Sequence, residues 1–162
     1  MPVDPLEFRR VLGHFPAGVT VVTVRGEDGR PYGLTATAFT SVSLDPPLVL
    51  VCVDRKSESF PHFERAGAFA VNFLRLDQRE TSQRFARSGG DKFADVPYET
   101  VATGSPVLRD RLGFLDCTLV HRYEGGDHVI YVGRVEAADA GPGEPLLYYR
   151  GAYRRLAEEG DS

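Results

Sequence analysis

Residues 33–53 read GLTATAFTSVSLDPPLVLVCV. The first half is a strand-like run of small and hydroxylated side chains, and the second is purely apolar; Pro46-Pro47 divides them. Such segments, bounded by Gly or Pro, predict β-strands. The proline pair predicts a rigid turn that lets the two halves pair with each other. An ordinary core strand pair needs no succession of Thr, Ala and Ser. Ala36 and Ala38 leave room for a flat ring to approach the backbone, while Thr35, Thr37, Thr40 and Ser41 offer hydroxyls to a polar edge.

The apolar half runs directly into DRKSES, residues 54–59. Arg55 and Lys56 bring positive charge, Ser57 and Ser59 bring hydroxyls, and the helix expected from Phe60 brings free N–H groups. Pro61 belongs in the first turn of that helix, so Ser59 is the expected N-cap. Taken alone, the segment reads first as a plain capped helix fronted by solvated charges. Its place after the Thr/Ala/Ser strand favours a phosphate cradle. A flat ring, a polyol and a phosphate together describe a flavin nucleotide.

Elsewhere the chain alternates short strands with few helices. DPLEFRRVLGHF predicts a first helix with Asp4 as cap, Pro5 at the first position, Glu7 completing a capping box, and Leu6, Val11 and Leu12 turned to the core. The segment Pro16–Gly18 stops it. VTVVTV then predicts a strand, and RGEDGRP a hairpin turn. AFAVNFL, residues 68–74, predicts another strand. DQRETSQRFARSGG predicts a helix capped by Asp77, with Glu80 at its third position and closure at Gly89-Gly90. An irregular section covers residues 91–111. FLDCTLVHRYEGGDHVIYVGRVEAADA predicts two strands joined at EGGD, and PLLYYRGAYRRL one last strand. The whole predicts a mainly β protein, a small barrel with peripheral helices.

Composition narrows the function classes. The 162 residues suit one domain, carry a net charge of −4, and are 42% hydrophobic. That balance argues against a nucleic-acid binder, which carries a basic face. The longest uninterrupted apolar run, residues 48–53, is too short to span a membrane. Charges in MPVDPLEFRR stand where a secretion signal needs an apolar stretch, so a cytoplasmic location is expected. Cys52 and Cys117 each lie in an apolar strand and read as buried free thiols. His14, His62 and His121 have no metal-ligand spacing, and no nucleophile elbow surrounds Ser57, so neither a metal site nor a serine hydrolase is expected. No glycine-rich dinucleotide fingerprint opens a helix, so a nicotinamide cofactor has no Rossmann unit to bind.

In this order the motifs resemble the short-chain flavin reductases, an FMN-binding split-barrel family with a Greek-key-type antiparallel barrel. The resemblance runs through FPAGVTVVTV, residues 33–53, DRKSESF, FAVNFL, RFARSGGDKF, GDHVIYVGRV and PLLYYRGAYRRL. It implies a single domain over residues 1–162, a homodimer, and hydride transfer from NAD(P)H to FMN or FAD. It further implies reduced flavin supplied to a partner monooxygenase. By the resemblance, Thr35, Ala36, Thr37 and Ala38 line the ring and polyol, Ser41 and Ser43 lie in a hydroxyl-rich turn, and Cys52 and Val53 run alongside the flavin. Lys56, Ser57 and Ser59 hold its phosphate, with Lys92 and Phe93 near the phosphate or adenine end. His128 faces the nicotinamide, where it positions and does not act as acid or base. Tyr148, Tyr149 and Arg150 lie near the dinucleotide pocket, although a regular strand sends the two tyrosines to opposite faces. Without the resemblance, His128 reads first as an exposed residue after a tight turn, and Arg150, Arg154 and Arg155 as solvated surface charge, with a phosphate contact as the alternative. Other readings on the same barrel are a flavin- or haem-binding module without turnover, and an oxidase or oxygenase.

Overall fold

A computed structural model describes residues 2–160. In chain order its elements are α1 (Pro5–Leu12), β1 (Ala17–Gly18), β2 (Thr20–Arg25), β3 (Pro31–Ala36), β4 (Phe39–Ser43), β5 (Leu48–Asp54), α2 (Phe60–Arg65), β6 (Ala68–Phe73), α3 (Arg79–Ala86), β7 (Tyr98–Glu99), β8 (Val107–Leu108), β9 (Gly113–Gly125), β10 (His128–Ala140), β11 (Leu147–Tyr149) and β12 (Ala152–Arg154).

Seven strands form one antiparallel sheet in the order β3-β2-β6-β9-β10-β5-β4. Its edge strands, β3 and β4, are consecutive in the chain, separated by Thr37 and Ala38. That connector spans at most about 10 Å, so the sheet must curl until its edges meet. The chain from Pro31 to Ser43 therefore behaves as one kinked strand. Its first half bonds β2, and its second half bonds β5. This corrects the expected pairing, in which the Thr/Ala run lay against residues 48–53: only Phe39–Ser43 does so. The rung nearest the kink is Cys52 N–H to the Ala38 carbonyl, 3.1 Å. Beyond it β3 and β5 share no strand pairing, and the barrel is split along that seam.

Alternation along β5 sends Val49, Val51 and Val53 into the barrel and leaves Leu50 and Cys52 on its outer face. Val22, Phe69, Val71, Val129 and Tyr131 complete the interior, and Phe63 of α2 packs into it. Each fully buried side chain of this size contributes about 1.5–3 kcal/mol. Outside β2, Phe85 of α3 packs with Val19, Val21, Leu74, Leu108 and Leu146. Burial on both faces accounts for the nearly continuous apolar reading of β2. Gly133 is required by close approach: a Cβ there would stand 2.6 Å from the Phe69 ring and 2.7 Å from Cys117 Cβ.

Several local expectations change. Asp4 does cap α1, accepting from Leu6 N–H at 2.7 Å, but Glu7 pairs with Arg10 and forms no capping box. Leu6, Val11 and Leu12 are exposed and α1 buries nothing, because the barrel core is complete without it. Gln78, not Asp77, occupies the cap position of α3; Asp77 is drawn away to Arg75. That helix ends at Ala86, short of Gly89-Gly90. The closing segment is a hairpin and not one strand, since Arg150 and Gly151 both adopt positive φ and reverse the chain. Within residues 91–111, β7 and β8 form a short ladder. The Asn72 side chain ties this section to the sheet, donating to the Val21 carbonyl and accepting from Leu108 N–H.

Candidate functional site

Where the last rung ends, the seam opens into a cleft of about 400 Å³, a size that suits a small-molecule site. Leu34 to Ala38 line it from β3 and the kink, and Cys52 and Asp54 from β5. Lys56, Ser57 and Glu58 follow from the next loop, Phe85 to Ser88 come from the end of α3, and Lys92 and His128 complete it. Strand β3 bonds β2 on one edge only, so its other edge has no strand partner where Leu34 to Ala38 line the cleft.

The hydroxyls of the Thr/Ala run are mostly committed elsewhere. Thr35 Oγ1 donates to the Ser82 carbonyl at 2.6 Å, fastening β3 to α3. Thr20 Oγ1 donates to the Ala36 carbonyl, and Thr40 Oγ1 to the Ser41 carbonyl. Thr37 remains as the exposed hydroxyl of the run beside exposed Ala38. The seam thus offers small side chains and a strand edge, suited to the face and rim of a planar ring.

The loop after β5 is preorganised. Asp54 accepts from Lys56 N–H through its carboxylate at 2.8 Å and from Ser57 N–H through its carbonyl at 3.0 Å. Ser57 Oγ accepts from Ser59 N–H. Ser59 sits at the N-cap position of α2, yet its hydroxyl is buried and donates to the Gly33 carbonyl at 3.1 Å. It borders a neighbouring cleft, not this one. Arg55 is also turned aside, toward the Glu124–Asp127 turn. The cations on the cleft are therefore Lys56, Arg87 and Lys92. Burial holds the Lys92 pKa below its ordinary value, and the Glu58 carboxylate opposes that shift. Glu58 also accepts from Gly89 N–H at 2.8 Å, tying the segment after α3 to the loop. Burial raises the Cys52 pKa, which keeps it a neutral thiol.

His128 begins β10, paired with Asp54. Its Nδ1 lies 2.7 Å from Asp127 Oδ1, and the contact with the imidazole holds the Asp127 carboxyl below its ordinary pKa. With Nδ1 engaged, Nε2 is the ring nitrogen left for a ligand.

A second cleft, about 820 Å³, adjoins the first through Glu58 and Lys92. Arg30, Tyr32, His62, Phe93 and Tyr98 line it, with the Tyr32 and His62 rings stacked 3.4 Å apart. Phe93 packs edge-on against Phe85 and Tyr98 and is part of an aromatic cluster.

The structure thus brings Thr35, Ala36, Thr37, Ala38, Cys52, Lys56, Ser57, Lys92 and His128 to one cleft. Others of the expected set lie elsewhere. The Val53 side chain is inside the barrel. Ser41 and Ser43 lie on β4, past the kink. Tyr148 packs on Tyr153, Tyr149 lies edge-on to His14, and Arg150 forms the hairpin turn; none lines the cleft. Sequence reasoning missed Leu34, Asp54, Glu58 and the Phe85–Ser88 segment. The only signal for the last was the basic ARSGG tail of the helix.

A family model described as flavin reductase like domain matches residues 12–157. The chain belongs to the flavin reductase family. It is 45% identical over 152 residues to the reductase component of a 4-nitrophenol 4-monooxygenase/4-nitrocatechol 2-monooxygenase of Rhodococcus opacus, covering 94% of this chain and 81% of that protein. It is 43% identical to a flavin reductase of Pseudomonas putida, covering 96% and 92%. Among solved structures, the NADH:FAD oxidoreductase SgcE6 of Streptomyces globisporus superimposes with a TM-score of 0.90 at 40% identity, covering 99% of both chains. That protein has also been solved in complex with NAD and FAD fragments. This family member shares their split-barrel fold, and among its described residues no helix is long and apolar enough to cross a membrane.

Proposed function

We propose that this flavin reductase family member is an NAD(P)H:flavin oxidoreductase that supplies reduced flavin to a partner monooxygenase. The carrying observation is the split seam itself: an unpaired β3 edge floored by alanines, with cations at one side and His128 at the start of β10. The reading is supported by relatives described as reductase components of monooxygenases.

The residues present fit a flavin nucleotide. The β3 edge from Thr35 to Ala38 would meet the ring rim through backbone groups, Lys56 and Lys92 would neutralise a phosphate, and the Ser57 hydroxyl would donate to it. The adjoining aromatic cleft, reached past Lys92, would take an adenosine, which favours FAD as a ligand alongside FMN. A bound flavin supplies a hydride acceptor, and NAD(P)H supplies the hydride. The chain's own part is to align two rings at short range. His128 Nε2, oriented by Asp127, is placed to bond the nicotinamide end and moves no proton.

The chain acts as one domain in the cytoplasm, and the exposed apolar residues Leu6, Phe8 and Phe15 favour a homodimer. Light scattering of the purified protein checks the dimer. The activity is tested by mixing the protein with FMN, FAD or riboflavin and either NADH or NADPH, and following loss of nicotinamide absorbance. Oxidation with at least one flavin is expected. No oxidation with any of them overturns the proposal, leaving a binding module without turnover.

A further inference from the structure

Arg55 opens the loop that carries Lys56 and Ser57, yet its side chain takes no part in the cleft. It grips the β9–β10 turn instead. Its backbone N–H donates to the Asp127 carbonyl at 3.0 Å. Its Nε donates to the Gly126 carbonyl at 3.1 Å. A terminal guanidinium nitrogen lies 3.4 Å from Glu124 Oε1. The turn is tight: Gly125 pairs with His128, and Gly126 holds φ +69°. Asp127 in turn holds His128 Nδ1.

The Arg55 side chain therefore meets the turn at Glu124 and Gly126, and its backbone N–H meets the exit at Asp127, immediately before the histidine. We infer that Arg55 is a positioning residue that fixes His128 relative to the Lys56–Ser57 loop, so that nicotinamide engagement depends on a cation that never touches the nicotinamide. The inference rests on the reading above that His128 faces the nicotinamide. Its physical basis is the guanidinium fork. Nε bonds the Gly126 carbonyl while a terminal nitrogen of the same plane pairs ionically with Glu124, an arrangement that a lysine ammonium on a flexible stem reproduces less well. The same grip gives the turn a fixed place relative to β5, because the Asp54–His128 pairing lies directly beside it.

The test compares Arg55→Ala, Arg55→Lys and His128→Ala, alone and combined. In Arg55→Ala the KM for NAD(P)H should rise about five- to tenfold with kcat little changed, the range expected for losing a charge-assisted bond. Arg55→Lys should recover part of that loss. Dissociation constants for FMN and riboflavin, read by flavin fluorescence, should stay within about twofold of wild type, the scatter expected at an uncoupled site. Amide exchange should quicken at residues 124–128 and not in the Lys56–Ser57 loop. In a His128→Ala background, Arg55→Ala should add almost nothing, since both act through one contact. An unchanged KM in Arg55→Ala, or effects that add fully with His128→Ala, overturns the positioning role. Weaker binding of FMN but not riboflavin makes Arg55 a phosphate ligand and also overturns it. A wild type that oxidises no NAD(P)H condemns the functional reading instead, so the two failures are distinguishable.

Discussion

Ser59 and Ser57 are two residues apart, and the structure gives their hydroxyls different work. Ser59 is 4% exposed and donates to the Gly33 carbonyl, joining the start of α2 to β3. Ser57 is half-buried and lines the cleft. Ser59→Ala removes a buried bond and leaves the Gly33 carbonyl without that donor. The loss is about 1.5 kcal/mol, midway between a simple hydrogen bond and a fully orphaned buried group. For a chain of this size that lowers Tm by about 3–6 °C. FMN affinity should change by less than about twofold, since the hydroxyl is directed away from the cleft. Ser57→Ala should weigh the other way: FMN binding weakened about five- to tenfold by loss of one bond to a charged phosphate, with a smaller fall in Tm, because the bond it loses within the chain is the long 3.3 Å one from Ser59 N–H. Thermal melts and flavin fluorescence titrations on both variants read all four quantities. If Ser59→Ala weakens FMN tenfold at an unchanged Tm, the assignment of its hydroxyl to Gly33 is wrong.

Two further outcomes follow from particular contacts. Gly133→Ala drives a methyl into the Phe69 ring and Cys117, and should lower stability by at least about 1–3 kcal/mol in denaturant melts; a neutral result would contradict the packing of β10 against β6 and β9. Lys92 has its pKa lowered by burial, so it is charged below that depressed value and loses its proton as pH rises through it. Affinity for FMN should therefore begin to fall at a pH below the ordinary lysine range, and Lys92→Arg should remove that limb of the titration. A limb that survives the arginine variant would assign it to another group.

Much of the cleft could be read from the chain because its parts are local. The Thr35–Ala38 run, the Lys56-Ser57 pair and His128 after a glycine turn each carry their chemistry within a few residues. What escaped depends on distance. A strand of period two looks the same whether its halves bond one neighbour or two, so the kink at Thr37-Ala38 that creates the seam left no mark in the pattern. Direction escaped as well: nothing in DRKSES says that Arg55 and Ser59 point away from the cleft while Lys56 and Ser57 line it. The apolar residues of α1 have helical spacing, which signals a face to be covered but not by what. Arg150-Gly151 was the one legible turn passed over, since a glycine inside a predicted strand is itself a break signal.

On the proposed function, the split seam holds a flavin where NAD(P)H can reduce it. The most direct measurement is anaerobic: protein saturated with FMN or FAD is mixed with one equivalent of NADH or NADPH, and the oxidised-flavin absorbance band is followed in time. Bleaching of the flavin in step with loss of the nicotinamide band is expected, slowed in His128→Ala at low nicotinamide and approaching wild type as the nicotinamide is raised. Flavin that binds in the seam and stays oxidised with both nicotinamides would contradict it.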